Sequence, residues 1–243
     1  MVDLRWQAAP DGWRLGETAV HLWRVPLAQP PEVVARLHAL LAPDEQARAA
    51  RFHFERHRRQ FAVARGALRT LLGGYLGVAE TAVAFTYTTH GKPELPGADL
   101  CFNVSHSGEL ALMAFARRRM LGVDVEAVRE LQDAAGIAER FFAPSEVAVF
   151  RQVAPAWQPQ AFFNCWTRKE AFIKAIGEGL SHPLDRFEVT LRPGEPARLL
   201  TVDGSAAEAA RWRLAAVDPA PGYIGALIAR DWEGELACYA FRP

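Results

Sequence analysis

The sequence predicts a mixed α/β (α+β) fold built from two similar halves, and three observations carry that expectation. Helical and strand-like segments alternate in both halves of the 243 residues. A short echo relates the halves: LAPDE at 41 to 45 precedes a helix ending LLGG, much as FAPSE at 142 to 146 precedes one ending AIGEG. The composition, 50% hydrophobic and 23% charged, is that of a globular chain with a sizeable core. We expect halves at 1 to 120 and 121 to 243, with a ligand cleft between them.

The elements follow in order. AVHLWRVPL (19 to 27) is strand-like, and PPEVVARLHALL starts a helix at its prolines, with Val33, Val34, Leu37 and Leu41 as the apolar stripe. RRQFAVARGALRTLLGGYLG keeps a 3.6-residue period through Phe61, Leu68, Leu71 and Leu72, and Gly73 and Gly74 mark its expected end. VAFTYTT (83 to 89), DLCFNVSHS (99 to 107), ELALMAFA (109 to 116) and LGVDVEAV (121 to 128) alternate with turn residues and read as a meander. Helices are expected over 130 to 142, 145 to 153 and 161 to 177. Strands are expected near 186 to 192, 197 to 202, 211 to 218, 223 to 230 and 235 to 241.

Formal charge balances, 28 basic against 28 acidic residues, so no global field favours nucleic acid or an anionic membrane. Three scattered cysteines make neither a zinc spacing nor a disulfide framework, which suits a reducing compartment. The N-terminus lacks the pattern of a signal peptide, and no apolar run approaches the ~20 residues that span a bilayer. We expect a soluble, cytoplasmic protein.

Within LGVDVEAV a period of two puts Val123 and Val125 on one side and Asp124 and Glu126 on the other. Two carboxylates side by side make either a wet outer strand or half of a metal site. In the helix over 161 to 177, Glu170 falls on the same arc as Phe162, Phe163, Trp166 and Ile173. An unpaired charge there costs several kcal/mol. It is either a buried acid paired with a base such as Lys174, or a third oxygen donor joining Asp124 and Glu126 around a hard cation. Lys169 and Lys174 bracket it and are either solvated helix charges or phosphate ligands.

VSHSG offers Ser105, His106 and Ser107 at a strand end, where hydroxyl and backbone donors suit an anion. No G-x-S-x-G elbow is present, so a serine hydrolase is not indicated. Residues 51 to 69 carry six arginines and a single acid, Glu55, which reads as a solvated helix or a local phosphate site. The two familiar phosphate loops, G-x-x-x-x-G-K-[ST] and G-x-G-x-x-G, are missing, so phosphates would be handled by a metal and basic side chains.

APDEQARAARFHF, HGKPEL, FNVSHSG, LGVDVE, FFAPSE and WTRKEAFIKAIGEGL occur in that order along most of the chain. Together they resemble the 4′-phosphopantetheinyl transferases, in particular the longer Sfp-type enzymes. The resemblance implies two pseudo-symmetric α/β halves, each a mainly antiparallel sheet with a long packed helix, and coenzyme A in the cleft. It implies magnesium on Asp124, Glu126 and Glu170, with Lys92, Ser105, His106, Lys169 and Lys174 touching coenzyme A and Arg48 and Arg51 near its phosphates. Glu45 and Phe61 stand where some members place a lysine and a threonine by the 3′-phosphate. The implied reaction moves phosphopantetheine to a serine of an acyl or peptidyl carrier protein and releases adenosine 3′,5′-bisphosphate. Asp124, Glu170 and Lys174 would carry the chemistry, Glu170 also as general base. Fatty-acid, polyketide and nonribosomal-peptide systems all present such a carrier, and one chain holding both halves would act as a monomer without nucleic-acid or membrane partners.

Overall fold

A computed structural model describes residues 5–10, 12–89 and 91–243; His90 of the HGKPEL segment and part of the N-terminal stretch lie outside the described residues. In chain order the elements of the first half are β1 (Trp6–Ala8), β2 (Val20–Pro26), α1 (Pro31–Ala39), α2 (Pro43–Ala50), α3 (Glu55–Leu76), β3 (Thr86–Tyr87), β4 (Pro93–Glu94), β5 (Leu100–Ser107) and β6 (Leu110–Arg117). The second half contributes β7 (Leu121–Ala127), α4 (Ala134–Phe141), α5 (Pro144–Arg151), α6 (Gln158–Ile176), β8 (Phe187–Val189), β9 (Leu199–Val202), α7 (Ala206–Ala209), β10 (Trp212–Val217), β11 (Tyr223–Arg230) and β12 (Leu236–Ala240).

Two sheets carry the fold. One has the order β1-β12-β2-β6-β5 and the other β10-β11-β7. The second is antiparallel throughout; the first is antiparallel across β2-β6-β5 and parallel where β12, the last strand of the chain, enters between β1 and β2. Strand alternation sorts the side chains into layers. Trp23, Val25, Met113 and Phe115 face α3, whereas Leu22, Leu112 and Ala114 meet Leu121, Val123, Val125 and Leu227 between the sheets. The other face of β11 sets Ile224, Ala226 and Ile228 against α6. The layers thus run helix, sheet, sheet, helix, with α3 and α6 outside.

The LAPDE and FAPSE echo is structural. Pro43 and Pro144 each occupy the first turn of a short helix, and the third helical residue, Glu45 or Glu146, accepts from the N-cap N–H of Ala42 or Ala143 at 2.9 and 2.7 Å. Each acid then meets one buried base from its long helix. Arg69 donates to Glu45 at 2.6 Å, and Lys169 to Glu146 at 2.8 Å. Both bases also cap backbone carbonyls: Arg69 those of Glu80 and Val83, Lys169 those of Leu184 and Phe187. Paired in this way, the buried charges tie each long helix to its short one and to the loop that follows.

Two local expectations are corrected. Gly73 and Gly74 lie inside α3, which ends at Gly77 in the left-handed region at φ 68°. Both interior glycines serve close packing: a Cβ on Gly74 would stand 2.7 Å from the Trp13 ring, and one on Gly73 would stand 2.9 Å from the Val78 carbonyl. Nor does LGVDVEAV end a meander. β7 leaves β6 and pairs with β11 in the other sheet, while only Thr86 and Tyr87 of VAFTYTT are strand, paired with Pro93 and Glu94.

Candidate active site

β7 runs beside the edge strand β5, and the seam between the two sheets is closed by side chains. Asn103 Oδ1, Ser105 Oγ and Ser107 Oγ accept from the N–H groups of Val123, Val125 and Ala127 at 3.0, 3.4 and 3.1 Å. The period of two places these three side chains on one face of β5, one opposite each outward N–H of β7. Here the acids sit. Asp124 Oδ1 accepts from Ser105 Oγ at 2.7 Å and from Lys174 Nζ at 2.6 Å, and Glu126 Oε2 accepts from Ser107 Oγ at 2.8 Å.

Gly122 lets α6 approach. A Cβ there would lie 1.9 Å from the Ala171 carbonyl oxygen and 2.6 Å from the Ala175 nitrogen, so the helix backbone rests directly on β7. Glu170 and Lys174 immediately precede those two alanines and are one helical turn apart, which presents both toward Asp124 and Glu126. The carboxylates feel one another. Burial, then the Asp124 charge, lifts the Glu170 pKa to about 7, with Glu126 adding and Lys174 opposing. Burial and the Asp124 charge also raise Glu126.

Asp124 is buried, and its Oδ2 has no hydrogen-bond partner among the described residues. An orphaned carboxylate oxygen facing two further carboxylates is the donor chemistry of a hard cation. Among the described residues no three acid, histidine or cysteine side chains are already drawn around one point; the Lys174 ammonium balances Asp124 instead, and also donates to Ser105 Oγ at 2.9 Å.

Two adjoining cavities open along the C-terminal half of α6. One, of about 220 Å³, is lined by Lys92, Phe102, Asn103, Ile173 and Lys174. The other, of about 580 Å³, shares Lys92 and Phe102 and extends to Thr88, Cys101 and Arg119. Lys92 donates to the Lys174 carbonyl at 2.8 Å, near the negative end of the helix dipole. His106 is exposed beside Ser105, its pKa lowered by the crowding of protein atoms and then by Lys174. Together these elements offer carboxylates for a cation or a proton, and beside them ammonium groups for an anion, Lys92 and Lys174, that line the cavity.

The remaining expected residues lie elsewhere. Lys169 is fully buried, its three N–H donors spent on Glu146, Leu184 and Phe187. Nothing of it is left for a phosphate, and this corrects its place in the ligand set: one step along the helix from Glu170 turns the side chain by about 100° into the core. Arg48 and Arg51 are exposed at the end of α2, and the Arg48 guanidinium lies 5.5 Å from the Phe61 ring centre. Glu45 is explained by its cap and its pairing with Arg69.

The sequence offered Ser107 as a donor for an anion, whereas its hydroxyl donates to Glu126, and Arg65 was not singled out. Arg65 is nearly buried, lies 4.9 Å from the Phe85 ring and 3.6 Å from Glu45, and its Nη1 has no partner among the described residues. Its spacing four residues after Phe61 and four before Arg69 was the available signal, lost among six arginines.

Comparison with known proteins adds to this geometry. The family model described as 4′-phosphopantetheinyl transferase superfamily matches residues 120–227, and the one described as 4′-phosphopantetheinyl transferase, N-terminal, matches residues 29–118. The chain is 43% identical over 205 residues to 4′-phosphopantetheinyl transferase HetI of Nostoc sp., covering 83% of this chain and 86% of that protein. It is 30% identical over 167 residues to 4′-phosphopantetheinyl transferase Sfp of Bacillus subtilis, covering 68% and 72%. To the human L-aminoadipate-semialdehyde dehydrogenase-phosphopantetheinyl transferase it is 30% identical over 165 residues, covering 63% and 53%.

Proposed function

Because the chain belongs to the 4′-phosphopantetheinyl transferase superfamily and is a 4′-phosphopantetheinyl transferase, we propose that the acids of β7 and α6 are its active site. There phosphopantetheine passes from coenzyme A to a serine of an acyl or peptidyl carrier protein. One observation carries the assignment: Asp124, Glu126, Glu170 and Lys174 interact with one another beside the cavity that Lys174 lines, with Asp124 Oδ2 unpaired among the described residues.

The serine Oγ bonds to the β-phosphorus of coenzyme A, the bond from that phosphorus to its bridging oxygen breaks, and adenosine 3′,5′-bisphosphate leaves. Glu170, on the helix that faces the cleft, takes the serine proton. Lys174 supplies positive charge to the departing phosphate. Lys92 lines the cavity taken as the path of the nucleotide, Ser105 and His106 follow its lining residue Val104 along β5, and Arg48 with the unpaired Nη1 of Arg65 offers charge to the 3′-phosphate. Asp124, Glu126 and Glu170 fit magnesium, which when bound neutralises charge that builds on the pyrophosphate oxygens.

We place the enzyme in the cytoplasm as a monomer. Its three cysteines are free, no described helix is long and apolar enough to cross a membrane, and one chain supplies both sides of the cleft. The test is mass spectrometry of an apo carrier protein incubated with the enzyme, coenzyme A and magnesium. Asp124→Ala should remain folded and yield no adduct; near-normal magnesium-dependent transfer by that variant removes Asp124 from the site.

A further inference from the structure

The seam between β5 and β7 does more than join the sheets. A serine hydroxyl has one proton to give and lone pairs to receive. Ser107 Oγ receives the Ala127 N–H at 3.1 Å and gives its proton to Glu126 Oε2 at 2.8 Å. The hydroxyl is thereby oriented by the backbone of the very strand whose carboxylate it holds. Ser105 does the same for Asp124 one rung away, receiving the Val125 N–H and donating to Oδ1.

Ser107 is itself pinned. It ends β5 at the turn through Gly108, whose carbonyl accepts from Gln60 of α3 at 2.9 Å. The next N–H, that of Glu109, donates to the Tyr223 hydroxyl at 3.1 Å, and Tyr223 lies directly across from Ala127 in the β11–β7 pairing. Both halves of the molecule therefore fix where the Ser107 hydroxyl sits. Glu126 has a competitor for that hold: its side chain is 24% exposed, and the exposed Arg129 guanidinium stands 3.8 Å from the same Oε2.

We propose that Ser107 is a positioning residue for the active site, holding the Glu126 carboxylate on the side of Asp124, in competition with Arg129, in the orientation that receives the divalent cation. The proposal rests on the reading of Glu126 as a cation ligand given above. A hydrogen bond from a hydroxyl to a carboxylate is among the stronger neutral-to-ion contacts. Losing an outer partner of a metal-binding carboxylate typically weakens the metal about 10- to 100-fold.

The experiment titrates Mn²⁺ into the full-length protein with coenzyme A present and reads free Mn²⁺ by electron paramagnetic resonance, apart from any turnover. Ser107→Ala should weaken Mn²⁺ binding by about 10- to 100-fold, leave coenzyme A affinity without metal unchanged, and recover kcat at saturating metal. Ser107→Thr, which keeps the hydroxyl, should restore affinity. Glu126→Gln separates the two claims. If it binds Mn²⁺ as tightly as the wild type, the cation reading of Glu126 fails; if it weakens binding while Ser107→Ala does not, only the positioning role fails. Should the alanine variant not fold, Ser107→Cys takes its place, replacing the hydroxyl with a weak donor of similar size, and wild-type Mn²⁺ affinity there overturns the proposal.

Discussion

Replacing Gly122 by alanine should separate the two parts of the active site without touching an acid. The added Cβ would meet the Ala171 carbonyl oxygen at 1.9 Å, whereas ordinary contact begins near 3.4 Å, so β7 and α6 must move apart by about 1.5 Å. Neither side offers a rotamer to turn away, because the atoms met are helix backbone. Lys174 and Asp124, now 2.6 Å apart, would pass beyond hydrogen-bond range. The core between α6 and the β10-β11-β7 sheet would also open, and overpacking of this kind costs about 1 to 3 kcal/mol, more where backbone must move. A misplacement near 1 Å at a reacting centre costs on the order of 100-fold in rate, so kcat/KM should fall by that much even where the variant is fully folded. Urea unfolding and carrier modification, both measured well below the variant's midpoint, check the two parts. Wild-type stability with wild-type kcat/KM in Gly122→Ala would refute the claim that this glycine sets the distance between β7 and α6.

Two further predictions concern groups that the chemistry does not use. Lys169→Met leaves Glu146 buried without its cation and should destabilise the fold by about 3 to 5 kcal/mol, with coenzyme A affinity unchanged in folded protein; a stable variant with weakened coenzyme A binding would return Lys169 to the ligand set. His21 is buried with its pKa lowered to about 4, from 6.5, by desolvation. The unfolded chain therefore binds the extra proton first, so this residue's contribution is complete above pH 6.5 and is lost as pH falls toward 4, by at most about 3 kcal/mol. Unfolding free energies of His21→Gln across that window should fall less steeply than those of the wild type, and parallel curves would exclude His21 as the responsible group.

Much of the fold was legible because its signals are local. Alternation set Val123 and Val125 against Asp124 and Glu126, and the expected strands over 211 to 218, 223 to 230 and 235 to 241 match β10, β11 and β12 closely. The echo around Glu45 and Glu146 announced two like halves because a proline, an acid three positions after the N-cap and a following helix form a local unit. The glycines of α3 misled for the opposite reason. Their signal is conformational freedom, whereas what they provide is room for Trp13, from a distant segment, and for the Val78 carbonyl, where the chain turns back after the helix.

The sequence by itself determined most of the strands and helices, the three candidate acids, and a Glu170 and Lys174 placed one turn apart on a helix. Only the tertiary structure decided that Lys169, adjacent to Glu170, is a buried cation bonded to Glu146, while Lys174 reaches Asp124 from fifty residues away. It alone also decided that β7 joins β11 and that Ser107 holds Glu126 across the seam. The physical reason is common to these cases. Periodicity states which side chains share a face, but the fate of a charge depends on what that face meets, and here the partners come from distant segments brought together by packing.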